Sequence, residues 1–121
     1  MESRNEDVCL QSTDERRERI RRLNDALRKG RGQGQLMVTP GVLELANGSL
    51  PDVIALLRDY DAFSSDNDPY GEHDFGAFSY RGQKLFWKID YYDRSLQFGS
   101  DDPANEAVTT RVLTLMLARE Y

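Results

Sequence analysis

The stretch FGAFSYRGQKLFWKIDYYDRSLQF, residues 75–98, decides the predicted fold. Apolar and polar residues alternate along it, which is typical of strands that bury one face. Arg81-Gly82 has the composition of a two-residue hairpin turn, and Asp93-Arg94 is a second turn candidate. These turns predict an antiparallel meander with strands at 73–80, 84–92 and 95–98.

The two turns also set which side chains share a face of that sheet, because successive side chains point to opposite faces. One face of the predicted sheet is polar, and on that face His73 lies opposite Asp90. A bulge would move every later residue to the opposite face. The apolar side is predicted to form the core against the helices: Phe78, Tyr80, Leu85, Trp87, Ile89, Tyr91, Leu96 and Phe98.

Outward from this stretch, helical periodicity predicts helices at 14–29, 50–63 and 103–119. Ser12 and Glu15 fit a capping box before the first of them. Alternation at 35–39 predicts a short strand that joins an edge of the sheet. The sequence therefore predicts an α+β fold, an antiparallel three- to four-stranded meander sheet with helices packed on one face. The last helix is expected to bury Val108, Val112, Leu115 and Met116.

Length and composition indicate one domain over residues 12–121, preceded by a disordered tail at 1–11. Of the 121 residues, 39% are hydrophobic and 31% are charged, which is enough apolar content for one core. No apolar run is long enough for a membrane span, and the charged N-terminus does not resemble a secretory signal. Because Cys9 is the only cysteine, no internal disulfide is possible, and a cytoplasmic location is expected.

The net charge of −5 is unevenly distributed along the chain. Residues 1–31 hold nine Arg/Lys and seven Asp/Glu, a balance of +2, whereas residues 32–121 hold seven and fourteen, a balance of −7. An acidic body repels the nucleic-acid backbone and could instead occupy a basic groove on another protein. An ordinary charged surface that keeps a protein soluble explains the same negative net charge.

The segment DNDPYGEHD at 66–74 holds the residues with the clearest chemistry. If the protein is an enzyme, His73 and Asp90 are the catalytic candidates, with Asp90 holding the imidazole in one tautomer. If a metal is bound, Asp66, Asp68 and Glu72 are the candidate ligands, since oxygen donors suit Mg²⁺, Mn²⁺ or Ca²⁺. A structural His–Asp pair and an ordinary Asp/Asn turn account for the same residues, and no cofactor is expected.

Nucleic-acid binding is a further alternative. Phe86 and Tyr92 fall on the polar side of the predicted sheet beside Lys84 and Lys88, where bases could stack. An ordinary solvated helix would explain the basic residues of the first helix equally well, because acids interleave with them. Those basic residues are Arg16, Arg17, Arg19, Arg21 and Arg22.

Several segments together resemble the proteobacterial family known as domain of unknown function 3768. This resemblance implies a bacterial protein of plasmids and other mobile elements, and it carries no established activity or catalytic residue. The segments are LNDALR at 23–28, VTPGV at 38–42, FSSDNDPYGEHDFG at 63–76, WKIDYYD at 87–93 and SDDPANEAVTTRVLTLMLAREY at 100–121.

We therefore expect a non-enzymatic binding protein that occupies a surface of a bacterial protein partner. With a mobile-element setting, the sharpest form is an inhibitor of a host defence complex, of the anti-CRISPR or antirestriction type. A metal-assisted hydrolase and a nucleic-acid-binding accessory protein are the alternatives. The expected binding surface combines the polar sheet face with the 64–74 loop: Asp66, Asp68, Tyr70, Glu72, His73, Lys88, Asp90 and Tyr92.

Overall fold

The computed structural model describes the backbone of residues 2–121 and the side chains of residues 13–121. The predicted tail at 1–11, the capping residue Ser12 and Cys9 lie outside the residues described with side chains. The elements in chain order are α1 (Glu2–Arg28), β1 (Gln35–Val38), α2 (Pro40–Ala46), α3 (Leu50–Arg58), β2 (Phe75–Tyr80), β3 (Gln83–Tyr92), a 3₁₀ turn (Glu106–Val108), β4 (Thr110–Leu117) and a second 3₁₀ turn (Ala118–Glu120).

The predicted α+β class is confirmed, and the sheet has four strands in the order β1-β4-β3-β2. Strand β3 pairs antiparallel with both β2 and β4, as in a meander. The expected short strand is present at an edge as β1, but it runs parallel to β4. The sheet is therefore mixed, and the prediction of a wholly antiparallel sheet is wrong.

The hairpin between β2 and β3 has the register predicted from the sequence. Phe78 pairs with Leu85, and Gly76 pairs with Trp87. The turn residues Arg81 and Gly82 have φ angles of 50° and 77°. Positive φ at both positions is the signature of the type I′ turn, whose twist matches that of the flanking strands.

The helix predicted at 103–119 is wrong, because most of that segment forms β4 in the interior of the sheet. Its residues Leu115, Met116 and Leu117 are all buried. The segment is rich in apolar residues and becomes continuously buried at its end, and sequence periodicity alone does not distinguish such a short apolar run from part of a buried helix. Val108, which that helix was expected to bury, is 42% exposed.

The strand predicted at 95–98 is also wrong, because these residues form a loop. The Asp93 carboxylate accepts hydrogen bonds from the backbone N–H groups of Ser95 and Gln97, which turns the chain back on itself. Leu96 and Phe98 are consequently 45% and 71% exposed, and they do not join the core. Strand β4 takes the place beside β3 that this segment was expected to fill.

All three helices contact the same face of the sheet, which we call the covered face. Its core includes Leu85, Trp87 and Ile89, all buried as predicted. Helix α3 begins after Ser49 as expected but ends at Arg58, five residues before the predicted end at 63. None of the described helices is both long and apolar enough to cross a membrane. The buried helix residues packed in this core are Val42 and Ala46 of α2 and Val53 and Leu57 of α3.

Candidate functional site

The opposite side of the sheet, which we call the open face, carries a small aromatic cluster. The rings of Phe75 on β2 and Phe86 on β3 lie 5.2 Å apart. Tyr121 contacts both of them edge-on, at 6.1 and 5.6 Å between ring centroids. Lys84 Nζ lies 5.4 Å from the centroid of Phe86. The ring contacts within this cluster join β2, β3 and Tyr121.

Three predicted surface residues, Lys88, Asp90 and Tyr92, lie on this open face. They alternate along β3, so their side chains point to the same side. Lys88 Nζ and Asp90 Oδ2 form an ion pair at 2.5 Å. This hydrogen bond to Asp90 raises the pKa of Lys88 above its ordinary value, so the lysine stays charged. The open face thus presents aromatic rings beside fixed charges.

The loop at 59–74 divides the remaining predicted site residues into two groups. Asp66 and Tyr70 are exposed, with Tyr70 at 67%. Asp68, Glu72 and His73 instead bond to groups of the protein itself. The loop is held in shape by Asn67, whose side chain accepts from Ser64 N–H and donates to the Ala62 carbonyl. Part of the expected binding surface is therefore structural support.

His73 lies on the covered side of the sheet, away from Asp90. Its Nδ1 is 2.8 Å from Asp25 Oδ1 on α1, and its Nε2 is 3.5 Å from Asp68 Oδ2. The imidazole stacks on Phe63 at 3.7 Å with an interplanar angle of 4°. The prediction of a cross-strand His73–Asp90 pair is wrong, because His73 precedes β2 and its φ of 55° takes it out of the strand alternation. Asp90 pairs across the sheet with Val112.

The structure does not bring the three candidate metal ligands together. Asp68 accepts the backbone N–H of His73 at 3.2 Å, and Glu72 accepts the Tyr91 hydroxyl at 3.0 Å. Asp66 lies on the exposed part of the loop. Within residues 13–121, no group of three or more His, Cys, Asp or Glu side chains is arranged to hold a metal ion.

Asp74 is the last residue of the loop and directly precedes Phe75, the first residue of β2. Burial raises the pKa of its carboxyl, and the negative charges of Glu72, Asp68 and Asp90 raise it further. Asp90 belongs to the open face and the other two to the loop. The acidic loop therefore adjoins the end of the open face at which β2 begins.

Arg28 of α1 is 3% exposed and forms the centre of a polar cluster that the sequence analysis missed. Its Nη1 donates to the carbonyls of Leu57, Arg58 and Tyr60 at the end of α3. Its Nη2 donates to Asp25 at 3.2 Å. The positive charge of the guanidinium is thus balanced by the full negative charge of Asp25 and by the partial negative charge at the C-terminus of α3. This arrangement joins α1 to α3 and to the loop.

A second buried polar cluster surrounds Asn24, which is fully buried. Its amide donates to the Tyr91 hydroxyl at 2.8 Å and to the Glu72 carbonyl at 2.9 Å. Its side-chain oxygen accepts from Arg111 Nε at 2.8 Å. Burial raises the pKa of Tyr91, so the phenol stays neutral and acts as a donor to Glu72. These bonds hold the start of β4 and the end of β3 against α1.

The basic residues of α1 are largely engaged within the protein. Arg16 pairs with Asp102 at 2.7 Å, and Arg22 pairs with Glu18 at 2.7 Å. Arg17 lies over the Tyr70 ring at 5.9 Å. These contacts place Tyr70 and Asp102 beside the helix, while the Arg22 side chain remains 72% exposed.

Fold and site together define a small α+β domain whose mixed sheet is covered by helices on one face and carries an aromatic cluster on the other. The chain belongs to the family described as "Protein of unknown function (DUF3768)", whose model matches residues 38–120. The match runs from the end of β1 through β4 and includes the whole 59–74 loop, while α1 lies outside it. No curated protein and no solved structure matches the chain significantly.

Proposed function

We propose that this chain is a small non-enzymatic binding protein that acts by protein–protein contact through the open face of its sheet. The observation that carries the proposal is the aromatic cluster of Phe75, Phe86 and Tyr121, which lies on the sheet face that the described helices leave uncovered. Aromatic side chains supply much of the binding energy at protein interfaces, because they bury large areas at low entropic cost.

The acidic loop beside this face indicates the chemistry of the partner. Residues 59–74 contain six Asp or Glu residues and no Lys or Arg, and residues 32–121 carry a balance of −7. A partner with a basic surface around an apolar patch would complement both features, since complementary charge steers association and selects partners. The expected contact therefore joins the aromatic cluster to exposed loop residues such as Asp66.

The sharper form of this proposal is a bacterial, cytoplasmic inhibitor of a host defence complex, of the anti-CRISPR or antirestriction type. It rests on the mobile-element setting that the family resemblance implies, together with the acidic charge. Many defence complexes must hold nucleic acid in a basic groove, and an acidic protein can compete for such a groove.

The decisive experiment compares capture of a partner by three versions of the tagged full chain in extracts of its native host. Phe75→Ser removes a ring from the open face, and Leu56→Ser is the matched control, because Leu56 is an exposed apolar residue of α3 on the other side. We expect one basic protein to be retained by the wild type and by Leu56→Ser, and to be reduced at least about tenfold by Phe75→Ser.

Two further measurements keep the result interpretable. Circular dichroism melting establishes that Phe75→Ser is folded, and Asp66→Lys tests the loop without altering the aromatic cluster. Asp68 and Glu72 are unsuitable for charge reversal, because both accept hydrogen bonds within the protein. Equal retention of the partner by wild type and folded Phe75→Ser would refute the open face as the contact surface.

A further inference from the structure

A small cavity of about 60 Å³ lies on the covered side of the sheet, where the chain enters β4. Arg94 and Arg111 line it together with Gln33, Thr109 and Thr110, and Glu106 lies at the same cavity. The volume is large enough for several water molecules or one compact ion. Two arginines and one carboxylate give the cavity an excess of positive charge.

Arg111 has an unusual environment for a buried arginine. It is 3% exposed, and its Nε donates to the neutral amide oxygen of Asn24 at 2.8 Å. Its Nη2 donates to the Pro103 carbonyl, and its Cζ lies 5.1 Å from the centre of the Tyr91 ring. Within residues 13–121 no carboxylate forms an ion pair with this guanidinium; its burial lowers the pKa of Arg111, and the negative charges of Glu106 and Glu72, which are not in direct contact, offset only part of that effect.

Removing a cation from water without a counter-charge is costly, and neutral acceptors offset only part of that cost. Arg28 is equally buried, but it has Asp25 beside it. An anion in the cavity would supply to Arg111 what Asp25 supplies to Arg28. Arg94, an exposed residue of the 93–99 loop, would reach the same anion from the solvent side.

We propose that this cavity binds a small oxyanion of the phosphate type, held by the guanidinium groups of Arg111 and Arg94. The planar fork of arginine donors matches the oxygen geometry of such anions. Gln33 lines the same cavity, and its side-chain amide can donate to a further oxygen of a tetrahedral ion. Glu106 opposes binding by repulsion and limits the affinity. This site is separate from the open face and does not depend on the function proposed above.

The test is titration of the full chain with inorganic phosphate at constant ionic strength, with chloride as the balancing ion. We expect a saturable rise of the melting temperature with phosphate, because a ligand that binds only the folded state stabilises it. Amide resonances of Gln33, Gly34, Thr110 and Arg111 should shift in nitrogen–proton correlation spectra. Glycerol 3-phosphate, titrated in parallel, distinguishes a site for the free ion from one that also accepts a phosphomonoester.

Three variants locate the site without altering buried groups. Arg94→Ala should weaken phosphate binding about tenfold, the loss of roughly one charge-assisted hydrogen bond. Arg119→Ala removes another exposed arginine, which lies outside the cavity, and should leave binding unchanged. Glu106→Gln should tighten binding about threefold by removing a like charge. No stabilisation by phosphate beyond that by chloride, or undiminished binding by Arg94→Ala, would overturn the proposal.

Discussion

Arg28 and Arg111 are equally buried arginines on the same side of the sheet, yet their surroundings differ in one decisive respect. Arg28 donates to the Asp25 carboxylate and to three carbonyls at the end of α3. Arg111 donates to one neutral amide and one carbonyl, and it borders a cavity. The difference teaches that burial alone does not define the role of an arginine. Arg28 is ion-paired with a carboxylate and Arg111 is not, and on this difference rests our proposal that Arg111 binds an anion.

The largest expected effect is that of Arg28→Met. The substitution removes the donor of the carbonyls of Leu57, Arg58 and Tyr60 and leaves Asp25 with His73 alone, so we expect a loss of about 3–5 kcal/mol in the free energy of unfolding. Urea denaturation measures it, with the exposed Lys29→Met as the control. A loss of less than about 1 kcal/mol would mean that Arg28 is not the structural member of the pair.

Arg111→Met should have a smaller effect in phosphate-free buffer, about 1–3 kcal/mol. It leaves Asn24 Oδ1 and the Pro103 carbonyl without their donor, which lowers stability. It also removes a buried charge that has no ion-pair partner, which raises stability and offsets part of that loss. Urea denaturation in parallel with Arg28→Met gives the comparison directly. A loss as large as that of Arg28→Met would contradict the distinction between the two arginines.

Asp25→Asn makes the surroundings of Arg28 resemble those of Arg111. The amide keeps an acceptor near Arg28 Nη2 and His73 Nδ1 but removes the negative charge that both contact. We expect a loss of about 1–2 kcal/mol, smaller than for Arg28→Met because the three carbonyls keep their donor. Thermal melting against the exposed Asp61→Asn is the measurement. Equal melting temperatures of the two variants would show that the carboxylate does not stabilise the Arg28 cluster.

Tyr91→Phe probes the surroundings of Arg111 and should have the smallest effect, about 1 kcal/mol near neutral pH, from the lost bonds to Asn24 and Glu72. It should also change the response to pH. Because burial raises the pKa of Tyr91 above the value of 10.0 for an exposed phenol, the native state resists ionisation that the unfolded chain undergoes. Its stabilisation is therefore complete below pH 10 and declines as the pH rises further.

The urea midpoint of the wild type should accordingly fall more steeply above pH 10 than that of Tyr91→Phe. Tyr70→Phe, which changes an exposed tyrosine, should retain the wild-type slope. Parallel slopes for Tyr91→Phe and Tyr70→Phe would contradict the burial of the phenol as the cause.

The sequence holds signals for the buried polar clusters around Asn24, Arg28 and Arg111. Ile20, Asn24 and Arg28 recur at every fourth position, so two polar residues occupy the buried stripe of α1. Such residues signal a buried polar cluster, although the pattern does not name their partners. Arg111 alternates with Leu113, Leu115 and Leu117 on the covered face. This spacing predicts a buried arginine only if the segment is recognised as a strand. The helix predicted there concealed it.

The sequence by itself determined the hairpin of β2 and β3, with Trp87 buried opposite Gly76, and the α+β class. Those features depend on local turn chemistry and on two-residue alternation, which act between near neighbours. Only the tertiary structure decided that residues 110–117 form a strand between β1 and β3, since their apolar run suits a buried helix equally well. It also decided that His73 joins Asp25 and that Arg111 bonds to the neutral Asn24 amide and not to a carboxylate, because both depend on contacts between residues far apart in the chain.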